Sequence, residues 1–220
     1  MIEYMQSGGP LMWLILFCSI VAFAVFAERV LYFHRATIQV GEFLRGLSNL
    51  LNQSNYAEAL HESAGTPGPV ARVVHTAIVH HKTSRQELKE IVQEAGQLEV
   101  PLLEAHLGLL ATLALVTPLI GLLGTVTGMI EAFTALSSHS DLTSATEISR
   151  GIYQSLLTTA AGLAVAIPAF LAHSYLSSRV HRLMHDIERG GIEIVNMIAD
   201  KNRETKITDS GSTEYPLTVE

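Results

Sequence analysis

The sequence predicts an all-α membrane protein with three transmembrane helices and long helical extensions on the inner side of the membrane. Its composition points to this class, since 48% of the 220 residues are hydrophobic and 16% are charged, against about a quarter charged in a typical soluble domain. Three apolar runs are also long enough to cross a bilayer. The net charge is −7 and the 14 Lys and Arg are thinly spread, so nucleic acid is not an expected partner.

The first predicted span, 11–27, reads LMWLILFCSIVAFAVFA and carries no charge. Its length is near the lower limit for a membrane-crossing helix. The ten residues before it contain no Lys or Arg, whereas a cleaved secretory signal opens with a positive region, so the span is predicted to be retained. Cys18 is the only cysteine, which excludes a disulfide within the chain or a cysteine-based zinc site.

The second predicted span, 107–135, begins LGLLATLALVTPLIGLLGTVTGMIEAF. As a helix this stretch is about 40 Å long, more than the hydrocarbon core requires, so it tilts or projects into water. The third span, 153–178, begins with polar residues and contains Pro168.

The basic residues give the predicted orientation. Seven Lys and Arg lie between the first and second spans and six follow the third, but only Arg150 lies between the second and third. Because short inner loops carry the excess of Lys and Arg, the N-terminus is predicted outside and the C-terminus inside. In order, the predicted segments are an outer N-terminus at 1–10, span 11–27, an inner helical region at 28–106, span 107–135, an outer loop at 136–152, span 153–178, an inner helical extension at 179–203 and a disordered tail at 204–220.

Local signals divide the inner segments. An Asn precedes YAEALHESAG, TSRQ has the form of a helix cap with Gln three residues after Thr83, and GTPGP at 65–69 separates two helices. Gly190 and Gly191 are predicted to interrupt the amphipathic extension after the third span.

Small residues recur at steps of three and four in both later spans, which predicts close helix packing in lipid. The second span contains the GxxxG pair Gly124 and Gly128. The predicted faces are Thr117, Gly121, Gly124, Thr125, Gly128 and Ala132 in one span, and Ser155, Thr159, Gly162, Ala166 and Ala169 in the other. Packing alone explains such faces, and a pathway for protons or water is the alternative.

Four threonines favour the pathway, because Thr125 and Thr127 lie at a depth comparable with Thr158 and Thr159 in antiparallel helices. These four residues are called the hydroxyl seam below. Proton relays through membranes normally use a titratable side chain at mid-depth, and the middle of both spans has none. If the chain conducts protons, the central carboxylate is therefore expected on a partner helix.

The same residues resemble the MotA/TolQ/ExbB proton-channel family, and its ExbB and TolQ branch in particular. The resembling stretches are GGPLMWLILFCSIVAFAVFAERVLYFHRA, PLIGLLGTV within the second span and LLTTAAGLAVAIPA in the third, and together they extend over most of 8–180. The resemblance implies a homopentamer in the bacterial inner membrane, with the outer side periplasmic and the inner side cytoplasmic. It also implies an ExbD- or TolR-like single-span partner that supplies a membrane Asp, and a TonB- or TolA-like protein that receives the work of the protonmotive force.

The resemblance assigns pore positions to Thr125 in GTVTG and Thr159 in LLTTAAGL, with Thr158 beside it. Where the family pattern often has a glutamate, this chain has Gln154, which does not titrate. Glu131 is then either an electrostatic substitute near the outer mouth or an interfacial charge.

A ring of hydroxyls around an acid-bearing dimer is expected to lower the cost of the charged carboxylate at one rotational position, while an apolar wall favours its protonated form at the next. The alternative function is a passive oligomeric scaffold without ion conduction. The sequence lacks GxSxG and HExxH, so an enzyme is not predicted, and neither a metal nor another cofactor is expected.

Overall fold

The computed structural model describes residues 9–138 and 143–211, and within those ranges the chain forms helices and no strand. The all-helical class is therefore confirmed. The seven helices are α1 Gly9–Ala36, α2 Val40–Asn52, α3 Tyr56–Gly65, α4 Pro69–Val79, α5 Arg85–Glu104, α6 Leu107–Ser138 and α7 Thr143–Gly211.

The helices belong to two compact units. Unit 1 consists of the described residues within Met1–Leu31 and Ala105–Ser178, and unit 2 of those within Tyr32–Glu104 and Arg179–Glu220, so α1 and α7 contribute to both.

Unit 1 contains the apolar helices. Three stretches among the described residues are long and apolar enough to cross a membrane: Gly9–Asn52, Arg85–Thr134 and Thr146–Arg203. Large apolar side chains such as Trp13, Phe23 and Leu115 are 59%, 73% and 69% exposed in the single chain. Such a surface is costly in water and suits lipid or a neighbouring helix.

Unit 2 has a packed apolar core. Its helices bury Leu44, Leu47, Ile78, Ile194 and Ile198 to 1% exposure or less, and each such side chain contributes about 1.5–3 kcal/mol through burial. Helix α4 is the most enclosed of the short helices, with seven of its eleven residues buried.

Glycine is required where the chain enters α4. Gly68 has φ +116°, a conformation that L side chains rarely adopt. A Cβ there would also lie 2.7 Å from the carbonyl oxygen of Ala36. Pro69 follows at the first position of α4, where its missing N–H is not needed.

The predicted interruption at Gly190 and Gly191 is wrong, because α7 is continuous through both residues. A Cβ on Gly190 would lie 2.9 Å from Val70 Cγ1, and one on Gly191 would lie 2.8 Å from Val92 Cγ1. The two glycines therefore permit close packing of α7 on α4 and α5.

Other helix limits also differ from the sequence-based prediction. Helix α7 extends to Gly211, so the residues 204–211 of the predicted disordered tail are helical, and 212–220 lie outside the described residues. Within the predicted outer loop, 136–138 and 143–152 are helical, and 139–142 are not described. The cap of α5 is Ser84, whose Oγ accepts the N–H of Glu87 at 3.3 Å, one residue later than predicted.

Candidate functional site

Glycines set the contact between α6 and α7. A Cβ on Gly121 would lie 3.1 Å from the carbonyl oxygen of Thr158, and one on Gly128 would lie 2.7 Å from that of Gly151. A Cβ on Gly162 would lie 3.0 Å from the carbonyl oxygen of Thr117. These positions leave no room for a side chain, so the two backbones pack directly against each other.

Thr158 lies inside this contact. It is 1% exposed, and a Cβ on Gly124 would lie 2.7 Å from the Thr158 Cβ. Its hydroxyl donates to the carbonyl of Ser155 at 2.9 Å. The buried face of α7 therefore includes Thr158. The packing face that was predicted from the sequence contained Thr159 instead.

Thr159 lies at the edge of the contact and joins the two helices. It is half-buried, and its hydroxyl donates to the carbonyl oxygen of Gly121 at 3.0 Å. In an α-helix that same carbonyl accepts the N–H four residues later, which is the N–H of Thr125. One oxygen on α6 thus links the Thr159 hydroxyl to the backbone of Thr125.

Thr125 is likewise half-buried, at the edge of the glycine face of α6. Its hydroxyl donates to the carbonyl of Leu122 at 2.6 Å, and the hydroxyl of Thr127 lies 3.1 Å from the carbonyl of Gly124. The structure therefore brings Thr125, Thr158 and Thr159 together across the α6–α7 contact.

Gln154 and Glu131 lie elsewhere in unit 1. Gln154 packs against the first residue of α1, since a Cβ on Gly9 would lie 2.8 Å from its Nε2. Glu131 is exposed on α6. Glu131 follows Thr125 by six residues, which corresponds to about 9 Å along the helix and a third of a turn around it. The side chains of Thr125 and Glu131 therefore leave α6 in different directions.

A charged cluster between α1 and the start of α6 was not singled out from the sequence. His106 Nδ1 lies 2.8 Å from Glu28 Oε2 and 3.1 Å from Arg29 Nη2. Since one ring nitrogen cannot both donate to Glu28 and accept from Arg29, its proton decides which bond forms. His106 has φ +63°, and the only sequence signal was the pair Glu28–Arg29 after the first span.

A second charged pair lies in the core of unit 2. Arg72 Nε donates to Glu99 Oε1 at 2.7 Å, and Arg72 Nη2 bonds the other carboxylate oxygen. The Glu99 side chain is 10% exposed and that of Arg72 is 51% exposed. The hydrogen bond to Glu99 raises the pKa of Arg72 above its ordinary value, with a smaller contribution from Tyr32.

Two histidines of unit 2 lie in contact with other side chains. His75 Nδ1 lies 2.9 Å from Ser63 Oγ, and His81 stacks on Tyr56 with ring centroids 4.2 Å apart. Across 9–138 and 143–211, no group of three or more His, Cys, Asp or Glu side chains is arranged to hold a metal ion.

Three membrane-length apolar helices, two of them joined by a glycine and threonine contact, define a multi-pass membrane protein. The sequence model of the MotA/TolQ/ExbB proton channel family matches residues 66–189, more than half of the chain. The chain therefore belongs to this family, and the resemblance read from its sequence is confirmed.

Relatives from both named groups of the ExbB and TolQ branch are similar to this chain. The biopolymer transport protein exbB1 of Vibrio cholerae is 26% identical over 189 residues, which are 84% of this chain and 83% of the relative. The Tol-Pal system protein TolQ of Haemophilus influenzae is 44% identical over 88 residues, 40% of this chain and 38% of its own length. An ExbB homologue of Methanothermobacter thermautotrophicus is 29% identical over 188 residues, which are 85% of this chain and 66% of that protein.

Proposed function

We propose that this chain is the ExbB/TolQ-like subunit of a proton-channel motor in the bacterial inner membrane. It works with an ExbD/TolR-like single-span partner that supplies a membrane Asp, and uses protonmotive force to energise a TonB- or TolA-like protein. Outer-membrane transport or integrity is the output. The observation that supports this most is the pair Thr125 and Thr159, joined through the Gly121 carbonyl, in a chain of the proton-channel family.

The hydroxyl seam explains why a partner is needed. Threonine hydroxyls can position a proton or a water but cannot hold a charge at neutral pH. The residues 113–130 and 155–172 contain no Asp, Glu or His, so the group that takes up and releases the proton comes from another chain. A ring of five copies would place Thr125 and Thr159 around two such acids.

The first test replaces the two seam threonines with the isosteric apolar residue. Thr125→Val and Thr159→Val are expected to leave assembly intact and to abolish proton uptake by vesicles that contain the purified complex. Thr112→Val is the matched control, because Thr112 is exposed on the same helix and donates to the Gly108 carbonyl in the same way, at 2.8 Å. A double variant, Thr125→Val with Thr159→Val, that keeps full proton uptake would contradict the proposal.

Gln154→Ala is expected to have a milder effect than either seam variant, because the Gln154 side chain packs on Gly9 and does not titrate. An equally severe loss of proton uptake in an assembled complex would place Gln154 in the path.

A passive oligomeric scaffold is the second candidate. The observation that favours it is that the glycine contacts and the seam hydroxyls all find their partners within the chain. Copurification separates the two functions. A scaffold predicts no stoichiometric single-span protein with a mid-membrane Asp and no proton uptake by wild-type vesicles, whereas the motor requires both.

A further inference from the structure

The direction of each seam hydroxyl follows from the atom that it faces. Thr125 Oγ1 lies 2.6 Å from the Leu122 carbonyl oxygen, and Thr159 Oγ1 lies 3.0 Å from the Gly121 carbonyl oxygen. A carbonyl oxygen only accepts hydrogen bonds, so the threonine is the donor in both pairs. Both hydroxyl protons therefore form hydrogen bonds within the chain. Each hydroxyl oxygen still has lone pairs that can accept a hydrogen bond from a partner.

The neighbouring positions of α6 and α7 add no other donor to the seam. Thr158 donates to the Ser155 carbonyl, and Thr127 has the Gly124 carbonyl at 3.1 Å. In helices α6 and α7 the backbone N–H groups at this level are bonded to carbonyls one turn earlier. The residues 113–130 and 155–172 contain no Lys, Arg, His, Asn, Gln, Trp or Tyr. Among the described residues, the seam thus presents hydrogen-bond acceptors.

Thr125 and Thr159 are the residues of the hydroxyl seam whose oxygens a partner helix can reach. Both are half-buried, whereas Thr158 is 1% exposed beneath Gly124. Their link through the Gly121 carbonyl keeps them at one level of the α6–α7 contact. A group that approaches this edge meets two hydroxyl oxygens whose protons point back into the chain.

We propose that Thr125 and Thr159 form an acceptor site that binds the partner's membrane carboxyl group in its protonated form and disfavours the carboxylate. The inference rests on the proposed function, and it states which protonation state the seam selects. A carboxylic acid has one O–H to donate, while a carboxylate has only acceptor oxygens. Two sets of lone pairs facing each other in a medium of low dielectric leave the charge without a partner, which is costly.

This reverses the sequence-based expectation that the hydroxyls lower the cost of the charged form. The threonine residue type alone is compatible with a preference for the carboxylate or for the protonated acid, because a hydroxyl both donates and accepts hydrogen bonds. Donation to the Leu122 and Gly121 carbonyls leaves each hydroxyl the acceptor role. The acid is then neutral while it faces the seam and releases its proton where water or another donor can solvate the carboxylate.

The test measures the protonation of the partner's acid in the purified complex by infrared spectroscopy, from the carboxylic C=O band across a pH series. Thr159→Val removes an acceptor without changing volume, and it is expected to lower the pH of half-protonation by about one unit, a tenfold loss of proton affinity. Thr125→Val should act in the same direction. Thr159→Ser keeps the acceptor and should titrate like the wild-type complex.

Thr112→Val is the matched control, since it removes an exposed hydroxyl that lies outside the seam and donates to the Gly108 carbonyl, and it should leave the titration unchanged. A rise in the half-protonation pH of Thr159→Val would overturn the inference, because it would mean that the hydroxyl donates to the carboxylate. An unchanged value would overturn it as well, since the acid would then not face Thr159. A wild-type chain that recovers no acid-bearing partner would remove the proposed function itself, which is a different result from a shift of the wrong sign.

Discussion

Glu99 is a carboxylate in the core of unit 2, and it is paired with the guanidinium of Arg72. Its side chain is 10% exposed, and both carboxylate oxygens bond the Arg72 guanidinium. The guanidinium fork matches a carboxylate with two parallel bonds, which an ammonium does not reproduce. Loss of Arg72 would leave the buried Glu99 carboxylate without its cation. The cost of that unpaired charge exceeds the net stabilisation that the intact pair provides.

Arg72→Ala is expected to destabilise the protein by about 2 kcal/mol, less than the roughly 3–5 kcal/mol for a fully buried pair, because half of the Arg72 side chain is exposed to solvent. Thermal unfolding in detergent measures the change. The double variant Arg72→Met with Glu99→Gln removes the uncompensated charge and should recover much of the loss. An Arg72→Ala protein with wild-type unfolding temperature would show that Glu99 is solvated or paired in another way.

Two adjacent threonines show what sequence could not decide at this scale. Thr158 and Thr159 are chemically identical, and both were expected in the hydroxyl seam. The packing of Gly124 on Thr158 buries one, while the bond to Gly121 keeps the other at the edge. Side-chain orientation depends on the rotation of α7 against α6, which a single sequence does not specify. The helix-spacing pattern did give the depth at which they meet.

At the scale of helices, a glycine pair weakens a helix that is exposed to water, but it permits close packing where the helix is buried. Gly190 and Gly191 carry the low helix propensity that predicted a break, yet α7 continues through them to Gly211. The energy that outweighs propensity is burial, since both glycines are buried against Val70 and Val92. Tertiary packing of this kind was not visible in the local pattern.

Gly191→Ala is expected to destabilise unit 2 by about 1–2 kcal/mol through overpacking, because its Cβ would lie 2.8 Å from Val92 Cγ1. Gly41→Ala is the matched control on α2, where nothing lies within 4 Å of the added Cβ. That change should cause no loss and a gain of up to about 1 kcal/mol from helix propensity. Equal effects of the two variants on the unfolding temperature would refute the close contact of α7 with α5.

At the scale of the whole molecule, composition and three apolar runs were sufficient to predict an all-helical chain with three membrane-length helices. The architecture of unit 2 was beyond the same methods. This unit joins residues that are more than 100 positions apart in the sequence, as when Arg85 donates to Asn196 and Asn202 to the His81 carbonyl. Such pairings depend on tertiary contacts that leave no periodic signal. The charged cluster at His106 was missed for the same reason.

The predicted orientation can be tested with reporter fusions. Alkaline phosphatase joined after Ser138 is expected to be active, because the sparsely charged 136–152 loop is predicted on the outer side. Green fluorescent protein joined after Lys82 is expected to fluoresce, since the basic residues before the second span should hold 28–106 inside. An inactive phosphatase after Ser138, with no fluorescence from the fusion after Lys82, would mean that the chain is inserted in the opposite orientation.

Cys18 has a practical consequence for spectroscopy. It is the only cysteine in the sequence and is 6% exposed within α1, and a thiol buried among apolar groups reacts slowly. A dye or spin label on a cysteine introduced elsewhere would then be the dominant reporter in each copy of the chain. Distances between identical positions in an assembly can therefore be measured by double electron–electron resonance without first removing a native residue.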